Sequence, residues 1–182
     1  FCPSVQHPIG RLVCCLPGRP ELNIYSYINM QHLRWKIAQA AELRWWKRYL
    51  GKKPVAEYAE WKTRYWRDLL QRLDIQVQAG ERVLDAGCGP AGIFTVLAQA
   101  TVTAIDPLID RYETSLDHFS RTMYPHVRFV NVGLENFRET QVYDRIFCLN
   151  AINHVSDLSQ SIDKLIELLK PDGQLILSVD AH

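Results

Sequence analysis

No stretch of this 182-residue chain approaches the roughly 20 apolar residues that a membrane-spanning helix needs, so a protein that does not cross a bilayer is expected. The five cysteines (Cys2, Cys14, Cys15, Cys88, Cys148) include no C-x-x-C pair. Neither a zinc site nor a disulfide framework is indicated, and the expectation is reduced thiols in a cytoplasmic protein with no bound metal. No secretory leader is expected in this stretch either, because the apolar run L-V-C-C-L-P at 12–17 is too short for one. Disorder is excluded by composition: 47% of residues are apolar and 10% aromatic, enough to build one domain with a core.

Net charge is also nearly absent, 21 basic residues against 20 acidic, but the balance conceals an asymmetry. Residues 31–74 carry 11 basic and 5 acidic side chains and all five tryptophans, whereas residues 75–182 carry 8 basic and 14 acidic. Two compositions imply two structural units. Residues 1–29 read as an irregular extension, with Met30 as the expected natural start. Residues 30–74 read as a helical hairpin. In its first helix Leu33, Ile37, Ala40/Ala41 and Trp45 form the stripe expected to pack on the main domain, with Gly51 as a cap. Pro54 opens a second helix whose stripe is Tyr58, Trp61, Tyr65, Trp66, Leu69, Leu70 and Leu73. A lid whose aromatics wall a pocket is the alternative use of this hairpin. Its Lys and Arg residues are interleaved with Glu42, Glu57, Glu60 and Asp68, which reads as a solvated face and argues against nucleic-acid binding.

After Gly80 the pattern changes to short Val/Ile/Leu runs at 82–85, 102–106, 127–132, 144–149 and 174–179. Helical patterns at 91–100, 110–123 and 157–169 separate them, and 137–142 is too short to assign. Buried strands alternating with helices predict an α/β fold with a doubly wound, Rossmann-like, mainly parallel sheet. Lys170-Pro171-Asp172-Gly173 should stop the last helix, with glycine taking the left-handed turn.

The segment Val83-Leu84-Asp85-Ala86-Gly87-Cys88-Gly89-Pro90-Ala91-Gly92 runs from the first strand into a glycine turn, and Asp106 ends the second strand, where an acid can bridge a ribose diol. Gly87, Gly89 and Gly92 formally satisfy G-x-G-x-x-G, so a nicotinamide dinucleotide must be weighed. Asp85 tilts the choice against it. A carboxylate about 5 Å from a pyrophosphate would cost roughly 3 kcal/mol at an effective dielectric near 20, and would favour a cationic ligand by as much. S-adenosylmethionine, with its ammonium and sulfonium beside a ribose, suits this loop, and a helix beginning near Ala91 would receive its carboxylate. Cys88, with no basic partner in the sequence, reads as a small filler. Asp85 could alternatively cap the turn, and Asp106 could begin the next helix.

V-L-D-A-G-C-G-P-A-G, V-T-A-I-D-P and L-L-K-P-D-G-Q-L-I-L-S resemble the first, second and late motifs of the class I S-adenosylmethionine-dependent methyltransferases, over about residues 80–180. The chain is most similar to the small-molecule group that includes the ubiquinone and menaquinone methyltransferases. The resemblance implies that Asp85, Gly87 and Gly89 line the methionine end of the cofactor and that Asp106 holds the ribose hydroxyls. It further implies that Pro107 and Leu108 flank the adenine, that the backbone of Leu134 meets the adenine edge, and that Asn150 lies near the methionine and the acceptor. His154, just past strand four, is the candidate general base. The chain departs from the pattern where Ala91 precedes Gly92 and where Gly133 replaces the acid that opens the adenine loop, Glu135 following two positions later.

Asn150-Ala151-Ile152-Asn153 is not the N-P-P-Y tetrapeptide of enzymes that methylate adenine or glutamine nitrogens, so those acceptors are disfavoured. The family's sheet has seven strands and this sequence provides five. Strands six and seven are expected to be missing, as in a fragment of a longer product, leaving 174–179 as an open edge for self-association. The reading is therefore methyl transfer to a small-molecule acceptor. A non-catalytic cofactor-binding module and a nicotinamide-dependent oxidoreductase stay open as alternatives.

Overall fold

The structure is a computed structural model that describes residues 24–139 and 142–179, with side chains from residue 33 onward. Two helices, α1 (Ile24–Leu50) and α2 (Val55–Arg72), form the hairpin. The α/β part follows as β1 (Arg82–Ala86), β2 (Thr101–Ile105), α3 (Ile109–Ser115), β3 (Val127–Val130), β4 (Tyr143–Leu149), α4 (Leu158–Leu168) and β5 (Leu169–Ser178). α1 begins six residues before Met30, inside the stretch expected to be irregular, while residues 1–23, with Cys2, Cys14 and Cys15, lie outside the described residues.

All strand pairings are parallel and the order is β3-β2-β1-β4-β5, as a doubly wound sheet requires. Alternation along the strands sends side chains to two cores. Val83, Val102, Ala104 and Phe147 face Tyr58, Trp66, Ile93, Phe94, Tyr112 and Phe119 on the hairpin side. Leu84, Ala86, Ile105, Ile146 and Cys148 face Leu134, Phe137, Leu165 and Leu168 on the α4 side. Among the described residues β5 pairs with β4 alone; Leu177 on it and Val179 just beyond it are 42% and 51% exposed.

Four local expectations are corrected. Residues 91–100 do not form a helix: two short 3-10 turns, Gly89–Ala91 and Ile93–Val96, are separated by an extended Gly92. The β-branched Ile93, Thr95 and Val96 favour helix weakly, and the Asp85 carboxylate takes the Phe94 N–H at 3.1 Å. The helix expected at 110–123 ends at Ser115, because Glu113 accepts from the Ser120 hydroxyl and the Arg121 N–H and folds the chain back. The strand expected through residue 132 ends at Val130. In the turn after α4 it is Asp172, at φ 65°, and not Gly173 that is left-handed. Gly173 serves close approach instead, since a Cβ there would lie 3.0 Å from the Lys170 carbonyl oxygen and 3.1 Å from that of Tyr143. Residues 170–173 bulge out between the Tyr143–Leu169 and Arg145–Gln174 pairs, and Asp144 holds the bulge through Lys170 Nζ at 2.8 Å and the Arg82 N–H at 2.9 Å.

The largest difference lies in α1. Leu33 (59% exposed), Ile37 (60%) and Trp45 (54%), the expected packing stripe, point to solvent. The opposite face, with Leu43, Trp46, Tyr49 and Leu50, packs on the core. α2 behaves as expected at Tyr58 and Trp66, which are buried, and at Leu69 and Leu70, which pack against the core, whereas Trp61 and Leu73 stay exposed.

Candidate functional site at the tips of the strands

The carboxyl ends of β1, β2 and β4 meet in one place. Beyond β1 the chain turns through Gly87 (φ 71°) and Gly89 (φ 57°), backbone angles that L side chains rarely adopt. The turn is tied to the end of β2 by the Gly87 and Cys88 N–H groups, which donate to the Ile105 carbonyl at 2.8 and 3.1 Å. Space as well as angle demands glycine here: a Cβ on Gly87 would lie 2.3 Å from the Ala151 Cβ, beside the tip of β4.

Two acids occupy this turn. Asp106, 5% exposed, accepts from the Gly89 N–H at 3.0 Å with one oxygen and from the Leu108 N–H at 2.8 Å with the other. Asp85, 2% exposed, lies under the loop, where its Oδ2 accepts from Phe94 and would be 2.3 Å from a Cβ on Gly92. Burial pushes both carboxyls up to about 7, partly opposed by these backbone donors. Asp106 adds to the rise at Asp85, and Glu42 to the rise at Asp106. Asp85 therefore caps the loop, the alternative open to it from sequence, whereas Asp106 does not begin α3, whose first flanking residue is Leu108 with no side-chain cap; the carboxyl oxygens retain lone pairs for a ligand. Burial and the two acids raise the Cys88 thiol, so it is no thiolate at neutral pH.

The remaining candidates surround this pair. Pro107 is half-buried and Leu108 buried directly after Asp106. Leu134 is buried at the start of the 3-10 turn Leu134–Asn136 after β3. Asn150, at φ 54°, is held against the end of β5: its N–H donates to the Ser178 carbonyl at 3.0 Å and its Oδ1 accepts from the Ser178 hydroxyl at 2.9 Å. His154 is exposed on the turn Ile152–His154, its N–H donating to the Ala151 carbonyl.

Sequence reasoning offered a lid as an alternative use of the hairpin but missed the α1 residues that reach these loops. Trp46 Cζ2 lies 3.6 Å from where a Cβ on Gly89 would stand, and Trp35 Cζ2 lies 3.7 Å from the same point on Gly133. Between these rings Glu42 accepts from the buried Tyr112 hydroxyl at 3.4 Å, and Trp46 meets Tyr112 edge to face. Trp66 Nε1 donates to the Ala91 carbonyl at 2.9 Å, pinning α2 to the glycine loop. Lys62 lies 4.4 Å from the Trp66 ring centroid and draws the Asp85 carboxyl slightly down. A signal existed: Trp35, Gln39, Glu42 and Trp46 recur at helical spacing, as the exposed stripe does.

This donor set fits S-adenosylmethionine and does not fit a pyrophosphate. Two buried carboxylates favour a cationic nucleoside with a diol, and 3-10 turns of three and four residues supply no helix dipole for a phosphate. The expected helix dipole for the cofactor carboxylate is likewise absent at Ala91. A parallel five-stranded sheet with acids at the tips of its first two strands defines an α/β nucleoside-binding domain. The chain belongs to the family described as methyltransferase domain, whose model matches residues 58–182.

Curated relatives agree with that placement. A ubiquinone biosynthesis O-methyltransferase of Rickettsia canadensis is 34% identical over 98 residues, 53% of this chain and 41% of that protein. The protein of the same description from Pseudomonas entomophila is 30% identical over 162 residues, 82% of this chain and 63% of that one. A malonyl-[acyl-carrier protein] O-methyltransferase of Acetivibrio thermocellus is 29% identical over 129 residues, covering 69% and 44%. The chain thus spans about two fifths of the Rickettsia relatives it matches. The fold is shared with the YcgJ protein of Bacillus subtilis, at a TM-score of 0.52 and 22% identity over 62% of this chain and 49% of that one. It is shared also with a candidate S-adenosyl-L-methionine-dependent methyltransferase of Methanococcus maripaludis, at a TM-score of 0.52 and 16% identity over 89% and 66%. No described helix is long and apolar enough to cross a membrane.

Proposed function

We propose that this domain transfers a methyl group from S-adenosylmethionine to an oxygen of a small-molecule acceptor. The observation that carries the reading is the pair of buried carboxylates, Asp85 and Asp106, at the tips of adjacent strands around Gly87 and Gly89. Asp106 would take the ribose hydroxyls, with Pro107, Leu108 and Leu134 around the adenine. Asp85, Gly87, Gly89 and Asn150 would set the charge and shape of the methionine end. Oxygen as the acceptor atom is supported by the relatives, which are described as O-methyltransferases.

S-adenosylmethionine, when bound, supplies a methyl on a positively charged sulfur that leaves as a neutral thioether. The protein's work is positioning. His154, beyond the tip of β4, would take the proton of the acceptor hydroxyl. The hairpin would cover the cofactor through Trp35, Glu42 and Trp46 and leave the β4 side to the acceptor. The buried, free Cys88 and Cys148 support a reducing, cytoplasmic setting, and the open edge of β5 supports self-association, which sedimentation would register.

Equilibrium binding of S-adenosylhomocysteine and of NAD, with Asp106→Ala as control, tests the reading. Binding of the homocysteine compound alone, weakened in the variant, is expected, and preference for NAD would overturn it. In a turnover assay with a phenolic acceptor, His154→Ala should lower kcat and leave cofactor affinity unchanged; unaltered kcat removes His154 from the chemistry.

A further inference from the structure

The outward face of α1 is cationic and apolar and carries no acid. At about 100° per residue, an arc of roughly half the helix circumference holds Lys36, Lys47, Arg44, Arg48 and Arg34. All five are exposed, and none has an ion-pair partner among the described residues. Leu33 and Ile37 project from the middle of the same arc and Trp45 from its flank, at 59%, 60% and 54% exposure. The one acid between residues 33 and 50, Glu42, is turned inward to Tyr112. The interleaving of signs that reads as a solvated face in sequence is thus divided in space: on α2 the exposed Glu57, Glu60 and Asp68 do alternate with Arg64, Arg67 and Arg72, and on α1 no acid does.

We infer that this face of α1 docks on an anionic lipid surface. Charge complementarity selects the occupant. Residues 1–23 hold two Arg and one Glu and cannot neutralise five cations. A nucleic-acid backbone would reward the cations but offers nothing to Leu33 and Ile37 in their midst. An anionic lipid interface rewards both, drawing Lys and Arg to its headgroups and accepting Leu, Ile and Trp between them. The helix is convex and presents these side chains singly, as a headgroup layer accommodates them. Because the inner face of α1 lies against Gly89 and Gly133, a lipid-docked α1 would hold the strand tips near the membrane surface, within reach of an acceptor dissolved there. The docking itself does not depend on the methyltransferase reading, since no catalysis or cofactor is needed to observe it.

The test is co-sedimentation of the full chain with vesicles of phosphatidylcholine alone or with about one third phosphatidylglycerol. Binding to the anionic vesicles only, weakened by salt, is expected. Arg44→Glu with Arg48→Glu should lower the partition at least about tenfold. Ile37→Ser should lower it several-fold at unchanged charge, and Arg64→Glu on α2 should have little effect. All four positions are exposed, and circular dichroism will show the variants folded. Absence of binding to anionic vesicles overturns the inference, as does a loss from Arg64→Glu equal to that from the α1 pair. A protein dimeric in the absence of lipid and made monomeric by Arg44→Glu assigns the face to the acidic α/β part of a second copy. Indifference to Ile37→Ser reduces it to a purely electrostatic contact that an acidic protein could share, and either result also overturns it.

Discussion

Lowering the pH from 8 to 6 should weaken binding of S-adenosylhomocysteine much more steeply than an ordinary carboxylate site allows. Aspartates with values near 3.8 are ionised throughout that range, but Asp85 and Asp106 are pushed up to about 7 by burial. If the ligand requires the ionised form, a carboxylate at 7 is about ten-elevenths ionised at pH 8 and about one-eleventh at pH 6. Each acid then costs about tenfold in affinity, or about 1.4 kcal/mol, and both together up to about a hundredfold. Calorimetry in two buffers of different ionisation enthalpy reads the same event as protons: nearly two released on binding at pH 6 and about 0.2 at pH 8. Asp85→Asn should keep the Phe94 contact through its amide oxygen and halve the proton release. The unliganded fold should respond in the opposite direction. Carboxyls whose values are raised on folding contribute stability that is complete below about 4 and is lost as pH rises through about 7, so Tm should fall across that window. Affinity and proton release flat between pH 6 and 8 would refute the assignment of these acids to the ligand.

Trp66→Phe deletes the donor to the Ala91 carbonyl and should cost about 1–2 kcal/mol in urea unfolding; a smaller cost means that the pin between α2 and the glycine loop is not structural. Gly92→Ala places a Cβ 2.3 Å from Asp85 Oδ2 and 2.6 Å from the Cys88 carbonyl oxygen, and should destabilise by about 2 kcal/mol or more. A neutral result there would mean that Asp85 leaves its place under the loop easily. Trp46→Ala should speed association of S-adenosylhomocysteine several-fold in stopped-flow, because the ring covers Gly89; an unchanged on-rate would show that α1 does not gate entry.

The sheet was legible because buried parallel strands carry their own signal. Val83-Leu84 and Val102 are too short and too apolar for anything else, and parallel pairing of strands joined by crossovers leaves few topologies. The segments between them were less so. Residues 91–100 carry a helical pattern, yet three β-branched residues, the hydrogen bond from the Phe94 N–H to Asp85 and one extended glycine remove the helix. Residues 116–123 lose theirs to Glu113, which bonds Ser120 and Arg121. Such side-chain captures are decided by tertiary position, and a periodicity argument has no access to them. At the tips of β1 and β2 the glycines, Asp85 and Asp106 could be read directly, because the backbone angles and the charge are local requirements.

The hairpin's two helices were legible, but the packing face of α1 was not, and the reason bears on how the protein works. A periodic apolar stripe identifies a buried face only when the other face is polar. In α1 two stripes compete, Leu33–Ile37–Trp45 and Trp35–Trp46–Tyr49, about half a turn apart, and sequence spacing ranks them equally. What separates them is chemistry on the other side of the contact. Glu42 and the paired aromatics find Tyr112, Gly89 and Gly133, sites with room for a ring or a hydroxyl partner. Leu33 and Ile37, flanked by Arg34, Lys36 and Arg44, would have to bury those cations in order to pack inward, a cost of several kcal/mol for each uncompensated charge. The helix therefore turns its single acid toward the domain and its five cations away. One element is thereby committed to two environments at once: any partner that engages the outer face acts on a helix whose inner face lies against Gly89, Tyr112 and Gly133.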